Sequence, residues 1–211
     1  MKLTWLGQAS FLIETPGGTR IVTDPYDGVG LEYPSVEADI VTISHDHFDH
    51  GAKQKVKGDF TTFSTQGLHE AAGVKISGLL TFHDDTGGTQ RGSNVIFVFE
   101  ADGIRLCHAG DLGHMLNEAQ IDALGRIDIL CLPVGGVYTI DAAGATELLG
   151  ILKPRIAVPM HYRIPGLSLD IADASGFLSG KQPVRQVDVL EVDAGSLPEA
   201  TEIAVLAPKH G

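Results

Sequence analysis

Residues 45 to 50 read His45-Asp46-His47-Phe48-Asp49-His50, an H-x-H-x-D-H cluster directly after the apolar run Asp39-Ile40-Val41-Thr42-Ile43-Ser44. A short apolar run of this kind reads as a buried strand, so three imidazoles and two carboxylates leave one strand end together. Packing does not account for that concentration of polar groups. Neutral imidazole and carboxylate are ligands that suit zinc and its divalent neighbours. The cluster is therefore read as the floor of a metal site, built for two ions.

The rest of the chain has to supply a core around that floor. With 211 residues, 43% of them hydrophobic, and a mean hydropathy of +0.11, the chain is expected to be compact; its length alone allows one or two domains, and the lack of an internal linker points to one spanning 1–211. The formal net charge of -12 disfavours attraction to a phosphate backbone, so nucleic acid is not an expected partner. Bound divalent cations would make the pocket itself far more positive than the surface, which leaves room for a small, anionic substrate. The N-terminus, Met1-Lys2-Leu3-Thr4-Trp5-Leu6-Gly7-Gln8, lacks a basic start followed by an apolar stretch. No run of about 20 apolar residues is present to span a membrane. Cytoplasmic residence without a membrane partner is the default expectation, and nothing indicates a homo-oligomer. Cys107 and Cys131 each lie in apolar runs with no C-x-x-C pair, which predicts inert buried thiols.

Short strands separated by turns are expected at 3–6, 11–14, 20–23, 40–43, 60–63, 78–82, 95–100 and 104–108. Pro16-Gly17-Gly18 supplies one turn and Asp102-Gly103 a hairpin. The second half alternates helices at 117–124, 142–152 and 169–178 with strands at 127–132, 155–158, 187–191 and 203–206. Asp141 is placed as the N-cap of the middle helix, which Lys153-Pro154 closes. The whole is a mixed α/β domain.

Nine histidines occur, six of them outside the cluster. His161 ends the apolar run Ile156-Ala157-Val158-Pro159-Met160, and His83 follows Leu79-Leu80-Thr81-Phe82. Both stand where open α/β sheets place their chemistry, at the C-terminal ends of strands, and both are read as ligands. Asp111, in His108-Ala109-Gly110-Asp111, is placed to bridge two ions. His108 is given a supporting or core role. His69 is assigned to a short helix and His210 to the tail, both as surface residues. His114 is read chiefly as a solvated loop residue with a reach to the pocket mouth.

These motifs together resemble the metallo-β-lactamase superfamily, and within it the ascorbate-6-phosphate lactonase-like hydrolases. The resemblance rests on Trp5-Leu6-Gly7-Gln8-Ala9-Ser10, Thr23-Asp24-Pro25, the H-x-H-x-D-H cluster, Ala109-Gly110-Asp111, Leu132-Pro133-Val134-Gly135-Gly136 and Pro159-Met160-His161-Tyr162. It implies a four-layer αββα sandwich with a dinuclear site at one edge. His45, His47 and His83 would ligate one ion, Asp49, His50 and His161 the other, and Asp111 would bridge. Gln8 departs from the histidine that many relatives of this branch carry there.

The implied activity is metal-dependent hydrolysis of a small ester-like bond, a lactone by preference, with Asp49 and Asp111 in catalytic roles. Zinc is the expected metal, and manganese or iron would also fit. Asp46 and Asp24 are candidates to hold a ligand's second ring nitrogen. Arg91, His114, Tyr138, Thr139, Tyr162 and Arg163 flank strand-end motifs and are candidate substrate contacts; an arginine there could grip a phosphate or carboxylate in a bidentate fork. The alternatives are cleavage of a small phosphodiester and a non-catalytic, regulatory metal-binding role.

Overall fold

The computed structural model describes residues 1–209 and resolves the chain into two facing sheets. The first half supplies β1 (Lys2–Gly7), β2 (Ser10–Glu14), β3 (Arg20–Thr23), β4 (Ile40–Thr42) and β5 (Thr61–Phe63), which join one sheet. They continue into β6 (Gly67–Ala71), β7 (Val74–Phe82), β8 (Ser93–Ala101) and β9 (Ile104–His108) of the second. The second half adds α1 (Glu118–Leu124), β10 (Ile129–Pro133), α2 (Ala142–Leu152), β11 (Ile156–Met160), α3 (Ser175–Leu178), β12 (Val184–Val187), β13 (Leu190–Glu191) and β14 (Glu202–Leu206). The sheet orders are β13-β1-β2-β3-β4-β5 and β12-β14-β11-β10-β9-β8-β7-β6.

Local chemistry accounts for the turns. Asp102 and Gly103 both have positive φ, 52° and 78°, as a two-residue hairpin between right-twisted strands requires. β8 and β9 accordingly pair antiparallel with Ala101 opposite Ile104. Asp141 caps α2 by accepting from Ala143 N at 3.0 Å and Gly144 N at 2.9 Å. Asn117 and Gln120 cap α1 reciprocally.

Strands β10 and β11 are buried at every position, as strands covered on both faces must be. One face meets the first sheet, where Trp5, Phe11 and Ile13 join Phe97, Phe99 and Leu106 in a single core that also takes in Leu124, Ala145 and Leu148 of the helices. The outer face of the six-stranded sheet buries a smaller cluster, Val22, Ala38, Val41, Ile43 and Val56. The α/β sandwich is as expected, with that outer layer built from loops and the single 3-10 turn Lys53–Lys55. Pro25, Gly28, Gly30 and Pro34 in the covering segment oppose a helix there.

Four expectations are corrected. The helix expected over 169–178 is confined to Ser175–Leu178, because Ala172 exchanges backbone hydrogen bonds with Gly135 and Arg163. The strand expected at 187–191 is split: β12 edges one sheet and β13 the other, so the chain crosses between them. His69 lies in strand β6, paired opposite Ile76, rather than in a helix. β7 begins at Val74, four residues before the expected start. His210 lies outside the described residues.

Backbones approach closely where the sheets meet the loops. A Cβ on Gly113 would collide with the backbone of His83 and Asp84, whereas one on Gly150, exposed within α2, would meet nothing within 4 Å. Gly113→Ala is expected to destabilise the protein by about 1–3 kcal/mol and Gly150→Ala to stabilise it by about 0.5–1 kcal/mol. Denaturant unfolding of both variants checks the opposite signs.

Candidate metal centre

Strands β3, β4 and β5 run parallel, as do β9, β10 and β11, and β7 joins their direction through two antiparallel pairings. Their C-terminal ends therefore share one edge of the sandwich. β3 leads directly into Asp24, β4 into Ser44 and the 45–50 loop, β7 into His83, β9 into Gly110-Asp111 two residues on, and β11 into His161. Asp24 and His161 leave their strands with φ of 40° and 50°. Such backbone costs of order 1–3 kcal/mol outside glycine and persists where surroundings hold it. Here Asp24 N donates to Thr42 O at 2.9 Å and His161 N to Gln8 O at 3.1 Å.

Asp111 occupies the centre and is 1% exposed. Its Oδ2 lies 3.2 Å from His50 Nε2, 3.3 Å from His83 Nε2 and from His161 Nε2, and 4.0 Å from His45 Nε2. Donor atoms of His45, His47 and His83 lie within 4.8 Å of one another, as do those of His45, His50 and Asp111 and those of Asp49, His50 and His161. All seven residues named from the sequence are thus brought together. Six are buried and His47 faces solvent.

A second ring of polar groups aims the first. Asp24 accepts from Ser44 N at 2.7 Å and Ser44 Oγ at 2.6 Å, and lies 2.9 Å from His50 Nδ1. Ser44 Oγ, already donating to Asp24, accepts from His45 Nδ1 at 3.0 Å. In both rings the proton then sits on Nδ1 and the Nε2 lone pair points inward. Gln8 Nε2 donates to Asp49 Oδ2 at 3.2 Å. Asn94 ties the approach to Asp111, accepting from its backbone N at 2.9 Å while donating to Thr81 Oγ1 and Ala109 O. Asp24 thus fills the supporting role considered for it, whereas Asp46 is exposed. Nothing in the sequence pattern marks Gln8 or Ser44 as supports, and the one signal for Asn94 is an amide inside the otherwise apolar run of β8.

The electrostatics favour a cation. Burial pushes the Asp111 carboxyl upward, but the imidazoles of His161 and His50 outweigh it and hold it well below the carboxylate range. Burial likewise opposes ionisation of Asp49, and His50 overrides it, bringing the carboxyl to about 2. His50 is driven the other way: burial disfavours its cation, yet Asp111, Asp24 and Asp49 raise it well above an ordinary imidazole, so its Nε2 lone pair becomes available to a divalent ion by displacement of the proton held there. Burial and the neighbouring His50 depress His45 to about 3. Buried His45 Nε2, His50 Nε2, His161 Nε2 and Asp111 Oδ1 have no hydrogen-bond partner among the described residues. Buried polar atoms are nearly always satisfied, and lone pairs converging on one point are satisfied by a divalent ion.

The cluster floors a cleft of about 300 Å³ lined by His47, Phe48, Asp49, His83, Arg91, Asp111, Tyr138 and Leu169. Of the contact candidates, Arg91 and Tyr138 line this cleft and the others do not. Tyr162 is buried against Trp5 with ring centroids 5.1 Å apart, and burial raises its hydroxyl to about 12. Arg163 is exposed and points to Asp173, 3.9 Å away. His114 is consumed locally, its Nε2 accepting from Phe82 N at 3.2 Å and its Nδ1 donating to Met115 O at 2.8 Å. Thr139 donates to its neighbour's carbonyl, Ile140 O. His108 turns into the core, 2.7 Å from Ala9 O and edge-on to Phe11. Phe48 and Leu169, which line the cleft, carried no pattern that separated them from ordinary apolar residues.

Comparison with known proteins agrees with this geometry. The family model described as the beta-lactamase superfamily domain matches residues 2–161. A UPF0173 metal-dependent hydrolase of Archaeoglobus fulgidus is 31% identical, over 77% of this chain and 83% of its own length. One from Thermococcus onnurineus is 30% identical, over 87% and 95%. A crystal structure from Thermotoga maritima, of a proposed Zn-dependent hydrolase of the metallo-β-lactamase superfamily, superposes with a TM-score of 0.83 at 39% identity over 97% of both chains. With the strand-end site and these relatives in agreement, the chain belongs to the metallo-β-lactamase superfamily, among its metal-dependent hydrolases.

Proposed function

We propose that the seven converging residues hold two divalent ions and that the protein hydrolyses a small ester-like substrate, a lactone by preference. His45, His47 and His83 would hold one ion and Asp49, His50 and His161 the other, with Asp111 shared. The observation that carries this reading is the set of inward, unpartnered Nε2 atoms around a buried carboxylate at the floor of an open cleft. Three protein ligands per ion plus a shared carboxylate leave positions open, the mark of a catalytic centre. An imidazole and carboxylate set suits zinc and also accepts manganese or iron.

Bound ions of this kind lower the pKa of a coordinated water to about 7 and polarise the oxygen of the bond under attack. The chain's own contribution is to fix the geometry. Asp24 and Ser44 set the tautomers of His50 and His45, while the Gln8 amide holds one Asp49 oxygen and leaves the other free to orient a nucleophilic water. Phe48, Tyr138 and Leu169 wall the cleft with apolar surface and limit competing solvent. A volume of about 300 Å³ lies at the small end of ligand sites, which favours a small molecule over a polymer.

The test is a turnover panel of lactones, thioesters and phosphodiesters on protein reconstituted with zinc, manganese or iron. His47→Ala is expected to lower kcat/KM by at least about 100-fold, to reduce bound metal and to leave the unfolding midpoint of the metal-free protein nearly unchanged, since His47 is exposed. Activity that survives complete chelation would refute the assignment. Asp24→Asn, which weakens the hold on His50, is expected to reduce metal affinity about 10–100-fold, measured by competition with a chromophoric chelator.

A further inference from the structure

The loop from His83 to Gly92 joins β7 to β8 and carries one proposed metal ligand at its start and Arg91 near its end. Its shape is set by the carboxylate of Asp84. Oδ1 accepts from Thr86 N at 2.9 Å, Thr86 Oγ1 at 2.8 Å and Gly88 N at 2.8 Å, and Oδ2 from Gln90 N at 3.0 Å and Arg91 N at 2.7 Å. His83 N donating to Gly92 O at 3.0 Å and Gly92 N donating to Gly88 O at 3.1 Å close the loop on itself. The backbone of Arg91 is thereby fixed relative to His83.

The Arg91 side chain is half-buried and lines the cleft. Its guanidinium carbon lies 5.7 Å from the centroid of the Tyr138 ring, within cation–π range. Among the described residues the guanidinium donates no hydrogen bond and has no carboxylate within 4.0 Å, unlike Arg20, Arg105 and Arg185, which are ion-paired. In a protein of net charge -12, a half-buried cation with its hydrogen-bonding fork unused is positioned for an anion from outside. The guanidinium fork suits carboxylate or phosphate, both planar or tripodal arrays of acceptor oxygens. Phe48, Tyr138 and Leu169 line the same cleft, from which Arg91 and the metal-binding floor are both reached.

We propose that Arg91 is a specificity-determining residue that binds a carboxylate or phosphate substituent of the substrate, so that the preferred substrates are small esters carrying an anionic group beyond the scissile bond. This inference rests on the hydrolytic reading of the same cleft and adds the class of molecule.

The experiment compares para-nitrophenyl butyrate, mono-para-nitrophenyl glutarate and the matching ester ending in a phosphate on the metal-loaded protein, as wild type, Arg91→Gln and Arg91→Lys. A parallel arm measures binding of phenylacetate, phenyl phosphate and benzyl alcohol by calorimetry. In the wild type the anionic esters are expected to exceed the neutral one in kcat/KM by about ten- to a hundredfold, the scale of a charge-assisted hydrogen bond. Arg91→Gln should remove that preference, and Arg91→Lys should keep part of it. The carboxylate and phosphate arms identify which anion is read. Equal kcat/KM for charged and neutral esters, or a preference that persists in Arg91→Gln, would overturn the inference and leave the hydrolase reading standing. If neither these esters nor the lactones, thioesters and phosphodiesters of the turnover panel are hydrolysed, the hydrolytic reading fails, and the binding arm decides this one. An anion affinity about tenfold weaker in Arg91→Gln upholds the anion site, and an unchanged affinity overturns it.

Discussion

A carboxylate almost cut off from water sits among four imidazoles, and much of the molecule is arranged to make that tolerable. An uncompensated buried ion costs several kcal/mol even after relaxation, so Asp111 requires its partners within a few ångströms. Those partners come from β4, β7 and β11, which belong to two sheets. The sheets must therefore end their strands at a common edge and stay in register there. Val95 N donating to Ser44 O at 2.9 Å and His161 N donating to Gln8 O at 3.1 Å join the sheets at that edge. Trp5 supports the second junction, its indole nitrogen donating to the same Gln8 carbonyl at 3.0 Å.

The parts legible in the sequence were those whose signal is local. Strand β4 and the histidines after it announce themselves through an apolar run followed by a polar cluster, and His83, Asp111 and His161 repeat the pattern in weaker form. The Asp102-Gly103 hairpin and the Asp141 cap follow from backbone preferences that neighbours do not alter. Where long-range contacts set the outcome, the pattern misled. Residues 169–174 read as helix, but the backbone N–H and carbonyl of Ala172 among them are committed to Gly135 and Arg163. The apolar 187–191 stretch read as one strand, although each half pairs with a different sheet. Tyr162 and Arg163 flank a ligand in sequence, yet the turn at His161 sends one into the core beside Trp5 and the other to solvent.

Supporting groups were harder to read than the ligands they support. Asp24 precedes the cluster by about twenty positions, and only the parallel pairing of β3 with β4 places it beneath His50. Gln8 meets Asp49 because Gly7 and Gln8 take positive φ of 109° and 52°, which interrupts the β1–β2 register between Trp5 and Gly7. No periodicity foretells such a meeting. A protein ligand for these metals comes from a few types, histidine, carboxylate or thiolate, whereas its support can be any residue with a donor or acceptor in the right place, so residue type narrows the second search far less.

The same asymmetry separates chemistry from recognition in this cleft. The groups that would activate water stand on the ends of buried strands, where packing fixes them and residue type reveals them. The walls that meet the rest of a substrate come from separate stretches of chain, at Phe48, Arg91, Tyr138 and Leu169. Loops of this kind tolerate change more readily than the scaffold that presents them. Arg91 is the exception in rigidity, since the Asp84 carboxylate gathers five hydrogen bonds from its loop. Burial works against the charge on Asp84, but those donors, led by the Arg91 backbone, override it and keep the group ionised. A loop so heavily organised next to His83 holds a charged side chain at a defined distance from the metal-binding floor. Fixed distance between a point of chemistry and a point of charge is what lets a small cleft select among substrates that share the same reactive bond.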